Sequence, residues 1–209
     1  MTDAFVLYGS CESGHSYKVR LLLELARVPY RYQEIDLRVA RAQRPEPFRS
    51  YAKFGEVPLL VHNGRPYVQS NSILLHLATH LRAWGGETPE RLARSREWLF
   101  WEANRLGLST SHLRYGRKFE PELYEGSVLP WFRARFDDDV ARLEDELSDG
   151  RAYLLGDTPS VADIALCAYQ YWPEHAQITH PPLVQAWLDR IAALPGWRHP
   201  YQMEGAQPF

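Results

Sequence analysis

Gly55-Glu-Val-Pro-Leu-Leu-Val61, followed by Gln69-Ser70 at the mouth of an apolar helix, is where residue types and spacing come closest to a binding chemistry. Apolar runs flank His62-Asn63-Gly64-Arg65, which predicts two strands joined by a tight turn. Pro58 brings no N–H to a strand ladder. A cis Val57–Pro58 bond is one way to keep it there, turning the main-chain groups of Val57 towards a guest; cis bonds are nearly confined to proline. Ser70 is expected to cap the helix Asn71–His80, whose free N–H groups and positive dipole end attract a carboxylate. Strand-like pairing beside a carboxylate pocket suits a small peptide. The plain alternative is a hairpin and a capped helix with no guest.

These residues resemble the glutathione S-transferase family, whose N-terminal half is thioredoxin-like. In that family the proline before the third strand is cis and the preceding residue pairs with the main chain of the glutathione cysteine. An acidic or amide residue followed by Ser grips the γ-glutamyl end. The resemblance places Val57, Pro58, Gln69 and Ser70 in those roles.

The chemistry such a site needs is thiol ionisation. A cysteine thiol has a pKa near 8.5, and lowering it by about two units takes roughly 2.7 kcal/mol of preference for the anion. One hydrogen bond to a charged group contributes about 1.5–3 kcal/mol and a helix N-terminus about 0.3–1 kcal/mol. A single hydroxyl at the first turn of a helix is nearly enough. By the resemblance, Ser13 is that catalytic hydroxyl, preceding Gly14-His15-Ser16-Tyr17-Lys18-Val19. Serine-type and related bacterial members often carry Asn where this chain has His15, a possible donor to sulfur. Helix capping by Ser13 is the bland alternative, and the two roles are compatible.

Other groups compete. Tyr8 lies one step early for a tyrosine-type member, and a strand aromatic is more often core. Cys11 lies two residues before the usual position of a thiol-type member, whereas Cys167 reads as a small apolar residue in a helix core. Gln43 matches a glutamine that reaches glutathione in related bacterial enzymes, with a solvated loop side chain as the alternative. Lys53, where the family's Asn-Pro is replaced by Ala52-Lys53, is better read as a solvated lysine, with contact to the glycyl carboxylate as the alternative. The second-substrate pocket is expected from Trp101, His112, Tyr115 and Arg117, with Trp98 beside them, around a Ser/His-rich turn. Trp98 and Trp101 are individually better read as core or dimer contacts. His76 and His80, one helical turn apart, lack further metal ligands; they read as cations near a helix C-terminus, and no metal is expected.

The elements that must position these groups follow from periodicity. Phe5–Tyr8 reads as a strand, Tyr17–Ala26 as a helix, Tyr30–Leu37 as a second strand and Arg38–Phe54 as a loop with at most a weak helix. The hairpin and the helix to Leu81 complete a β-α-β-α-β-β-α unit over residues 1–82. A linker at 83–91 leads to an all-helical region at 92–209, with amphipathic helices at Leu92–Leu106, Pro130–Leu147 and Leu183–Leu194. Ser160 and Asp163 form an Asp variant of the capping box before the apolar run Ile164–Tyr169. This order predicts an α/β thioredoxin-like N-terminal domain plus an all-α C-terminal domain, and the resemblance covers nearly the whole chain.

Composition sets the bounds. The 209 residues are 45% hydrophobic and 24% charged with net charge −2, an ordinary globular chain with no electrostatic call for nucleic acid or an anionic membrane. No apolar run approaches the ~20 residues that span a bilayer, and the N-terminus lacks a signal pattern. Two cysteines exclude a disulfide framework, so the cytoplasm is the expected location. The resemblance implies a homodimer that attacks a hydrophobic electrophile with the glutathione thiolate. Glutathione-dependent disulfide reduction or peroxidase activity, and a non-catalytic interaction module of the same fold, are the alternatives.

Overall fold

Four strands build one sheet in the order β2-β1-β3-β4 in a computed structural model that describes residues 4–206 and 208. β1 (Phe5–Gly9) pairs parallel with β2 (Arg31–Glu34) and antiparallel with β3 (Leu59–His62), which pairs antiparallel with β4 (Arg65–Val68). The parallel pair requires a crossover, and α1 (Gly14–Leu25) supplies it. Between β3 and β4 the turn residues Asn63 and Gly64 both have positive φ, 51° and 80°. That is the demand of a two-residue hairpin whose twist matches its strands. β3 is buried along its whole length: Leu59–Val61 are apolar, and the polar His62 at its end meets His76 at 2.9 Å.

Tyr8, Ile35, Phe48, Ala52, Leu59 and Val61 form one apolar cluster of this unit, with Val6, Leu37, Val57 and Val68 packed against it. Tyr8 belongs to that core, its ring centroid 6.1 Å from Phe48. The Arg- and Pro-rich segment after β2 holds only a 3-10 turn at Arg41–Gln43 and the four-residue helix α2 (Phe48–Tyr51). α3 (Ser70–Leu81) follows the hairpin. The described residues up to Leu77, together with those from Leu194 onward, make one compact unit, and Ala78–Ala193 make another.

The second unit is helical. Thr88 caps α4 (Pro89–Asn104), its Oγ1 accepting the Arg91 N–H at 3.2 Å with proline at the first helical position. Arg105, at φ −123° and ψ −102°, breaks the helix, and the chain resumes helix as α5 (Leu106–Lys118). The Ser/His-rich segment expected as a turn is therefore α5 itself. α6 (Val128–Glu146) packs on α5, and the buried Asp139 accepts from Arg105 at 2.8 Å, tying α6 to the break. Both halves of the expected capping box start α7 (Val161–Cys167): Ser160 Oγ accepts from Ala162 N–H at 3.2 Å, and Ser160 N–H donates to Asp163 at 2.8 Å. α8 (Pro173–Ala176) and α9 (Pro182–Ala192) complete the unit. Among the described residues no helix is long and apolar enough to cross a membrane.

Candidate functional site

Ser13 is the N-cap of α1, with extended backbone at φ −100° and ψ 114° and its Oγ accepting the Ser16 N–H at 3.2 Å. The cap therefore uses a lone pair of the oxygen, and the hydroxyl proton is left for an acceptor in the cleft beside it. That cleft, of about 380 Å³, is lined by Ser13, His15, Arg41, Arg44, Glu56 and Val57, among others. Its size suits a small organic guest. Two cations and one carboxylate give it charge for a guest that carries both signs.

The Val57–Pro58 bond is cis. Pro58 is buried while Val57 lines the cleft, and among the described residues no backbone hydrogen bond engages Val57. Main-chain groups of this kind, when unpaired at a cleft, can add an extended peptide as a further strand.

α3 begins differently from the expected cap. The Ile73 N–H donates to the Gln69 carbonyl at 2.9 Å, which puts Gln69 in the cap position and Ser70 first in the helix. Gln69 has φ +68°, a left-handed conformation that L side chains avoid. Its amide donates to Glu56 at 3.2 Å, and Glu56 in turn lies 3.7 Å from the Arg41 guanidinium. Ser70 is buried, with its Oγ 3.4 Å from His15 Nδ1. Gln69 and Ser70 therefore adjoin the cleft through Glu56 and His15.

Burial first, and then the Lys18 ammonium, push the His15 pKa down to about 3, so the imidazole is neutral at physiological pH. Neutral imidazole donates from only one nitrogen, and whether it donates to or accepts from Ser70 depends on the tautomer. Lys18 is fully buried and donates to Asn71 of α3 at 3.2 Å.

Gln43 does not line this cleft. It is exposed as the last residue of its 3-10 turn, and Arg41 and Arg44 reach the cleft instead. Side chains three apart in a 3-10 turn eclipse each other, so 41 and 44 share a side that 43 does not. The Arg44 guanidinium is held by the carbonyls of Gly55 at 2.8 Å, Val39 at 3.3 Å and Leu37 at 3.5 Å, and burial lowers its pKa. Lys53 is exposed, its ammonium 4.7 Å from the Phe54 ring. No local sequence signal singles out Arg41, Arg44 or Glu56 beyond the basic run around 38–44.

Cys11 is buried away from that cleft, beside Ser10, Tyr17, Tyr32 and Met203. Its N–H donates to Glu34 at 3.0 Å.

The residues expected at a second-substrate pocket are distributed over the helical unit. His112 stacks on Phe132 at 4.4 Å, and its Nδ1 is 2.5 Å from the Tyr124 hydroxyl. Tyr115, half exposed, joins the same aromatic group 6.0 Å from Tyr124. Arg117 instead donates to the Ala176 carbonyl at 2.5 Å, and Trp101 packs edge-on against Trp98 at 5.6 Å. Burial lowers the His112 pKa and raises that of Tyr124. His76 lies 2.9 Å from His62 Nδ1, and His80 is exposed. Among the described residues no three His, Cys, Asp or Glu side chains are grouped to hold a metal ion.

Sequence models of two domains match the chain: "Glutathione S-transferase, N-terminal domain" over residues 12–80 and "Glutathione S-transferase, C-terminal domain" over residues 74–198. The chain belongs to the glutathione S-transferase family. A crystal structure of a family member from Xanthobacter autotrophicus Py2 is 30% identical with a TM-score of 0.82, covering 93% of this chain and 95% of that one. A possible member from Rhodopseudomonas palustris is 29% identical with a TM-score of 0.82, covering 95% and 98%. The disulfide-bond oxidoreductase YfcG of Escherichia coli is 28% identical over 87% of each chain. The α/β unit and the helical unit are thus the two parts of the family's architecture.

Proposed function

We propose that this family member is a glutathione-dependent enzyme in which the Ser13 hydroxyl holds the bound thiol as thiolate. The observation that carries the reading is the shared cleft: Ser13 at a helix N-terminus and Val57 before the cis proline line the same space. Val57 pairs with the cysteinyl main chain of the tripeptide. Gln69 and Ser70 bind the γ-glutamyl end, and Arg41 and Arg44 give a carboxylate a cationic wall. Neutral His15 orients the Ser70 hydroxyl.

In the first reading the thiolate attacks an electrophilic carbon of a hydrophobic co-substrate, forming the C–S bond as the leaving group departs with its electron pair. The likeness to YfcG favours a second reading, disulfide reduction. There the thiolate attacks a disulfide sulfur, one thiol leaves, and a second glutathione resolves the mixed disulfide to give oxidised glutathione. A cytoplasmic homodimer is proposed in either case.

Ser13→Ala is expected to lower turnover by about 30-fold, the worth of one hydrogen bond to an anion, with glutathione affinity within a few-fold of the parent. Steady-state assays on a chloro-aromatic acceptor and on a mixed disulfide, beside calorimetric titration of glutathione, test this. Turnover only on the disulfide selects the second reading. Unchanged turnover in the alanine variant removes Ser13 from the chemistry.

A further inference from the structure

Residues 198–204, from the far end of the chain, are tied to the segment that carries Ser13. The Tyr17 hydroxyl donates to the Arg198 carbonyl at 2.8 Å, and the Arg20 guanidinium donates to the Glu204 carbonyl. The Tyr201 hydroxyl donates to the Glu12 carboxylate at 2.6 Å. Pro200 and Met203 are buried and, with Cys11 and Tyr17, close off a void of about 10 Å³, room for about one water. These contacts form a clasp on the face of the β1–α1 loop that does not line the cleft.

Glu12 is the residue immediately before Ser13 and is only 5% exposed. A carboxylate so placed requires donors, and a hydroxyl donating to it makes a short, charge-assisted bond. Within the loop, Ser13 N–H donates to the Ser10 carbonyl at 3.0 Å and Glu12 N–H meets Ser10 Oγ at a long 3.4 Å, while Cys11 N–H reaches the Glu34 carboxylate of β2 at 3.0 Å. The Tyr201–Glu12 bond, which crosses 189 residues of sequence, is shorter than each of these. We propose that Tyr201 is a positioning residue for the reaction: by holding Glu12 it fixes the backbone of Ser13 so that the hydroxyl aims at the glutathione sulfur. This rests on the reading of Ser13 given above. The C-terminal clasp is then a working part of the site, since a displacement of about 1 Å is enough to cost a hundredfold in rate.

The test uses full-length protein with Tyr201→Phe, Glu12→Ala and the double variant. Other charged or titratable groups around this turn, His15, Lys18 and Arg20 of α1 and Glu34 of β2, stay in place. Tyr201→Phe is expected to lower kcat about tenfold with glutathione Kd within twofold. The ultraviolet difference absorbance of bound thiolate at neutral pH should fall with it. In the Glu12→Ala background the same substitution should have no further effect. Wild-type kcat and thiolate signal in Tyr201→Phe would overturn the proposal. So would an undiminished effect in the Glu12→Ala background, or a loss of kcat matched by an equal loss of glutathione affinity.

Amide hydrogen exchange separates this proposal from the glutathione reading. Exchange at Cys11–Ser16 should quicken at least fivefold in Tyr201→Phe while the β-sheet amides are unchanged. If wild-type protein binds no glutathione, the functional reading and the catalytic role fall together, and exchange still decides whether the clasp holds the loop. Unchanged exchange at Cys11–Ser16 removes the clasp itself.

Discussion

Gln69 carries a local backbone cost at the cleft. A non-glycine residue at φ +68° gives up roughly 1–2 kcal/mol relative to glycine there. The conformation turns the chain from β4 into α3 and places the side-chain amide on Glu56 at the cleft. Gln69→Gly is therefore expected to stabilise the fold by about 1 kcal/mol in urea unfolding while weakening glutathione binding in calorimetry. Weaker binding without a gain in stability would mean that the backbone is not strained at this position. Amide chemistry at residue 69 and a hydroxyl at residue 70 were legible in the sequence. The left-handed cap was not, because no local signal announces positive φ at a glutamine.

At the scale of elements, stability concentrates where one side chain serves several donors. Asp163 is fully buried and accepts from Leu154 N–H at 2.9 Å, Ser160 N–H at 2.8 Å, the Ser160 hydroxyl at 2.9 Å and Trp187 Nε1–H at 3.0 Å. Burial pushes its carboxyl pKa up, against the pull of these donors. Asp163→Ala orphans them and is expected to cost about 4 kcal/mol, read from the midpoint of chemical unfolding. Its role as the box partner of Ser160 was visible from a three-residue spacing; its bonds to Leu154 and Trp187 were not.

α5 shows the converse, an element hidden by its own composition. Gly107, Ser109, Thr110, Ser111 and Gly116 make the segment a poor helix former, yet tertiary packing holds it helical. The glycines are there for space. A Cβ on Gly107 would lie 1.8 Å from a Glu102 carboxylate oxygen, and one on Gly116 would lie 2.5 Å from Tyr124 Cγ. Gly116→Ala should therefore destabilise by about 1–3 kcal/mol despite alanine's higher helix propensity, and thermal unfolding measures the sign.

For the whole molecule, His15 gives stability a pH dependence. Its folded pKa of about 3 lies below the ordinary 6.5, so between these values the unfolded chain binds a proton that the native site refuses. Stability then rises with pH across that window and is lost as pH falls from about 6.5 towards 3. Unfolding midpoints of the parent should drop between pH 7 and pH 4 more steeply than those of His15→Gln. Parallel curves for the two proteins would contradict the assignment.

Local chemistry was enough to read much of this fold. The Pro58 signal, the Asn63-Gly64 turn, the apolar β3 run and the Ser160–Asp163 spacing each act within a few residues, so they are written in short stretches of sequence. They specify the hairpin and the start of α7, while the apolar periodicity of residues 5–37 and of the second half specifies the β-α-β core and the later helices. What the tertiary structure decided was which side chains meet. Arg41 and Arg44 rather than Gln43 line the cleft, Cys11 is buried away from it, and Tyr201 reaches Glu12. Those outcomes depend on packing between segments tens to nearly two hundred residues apart, and no local pattern encodes which of several similar side chains faces a distant neighbour.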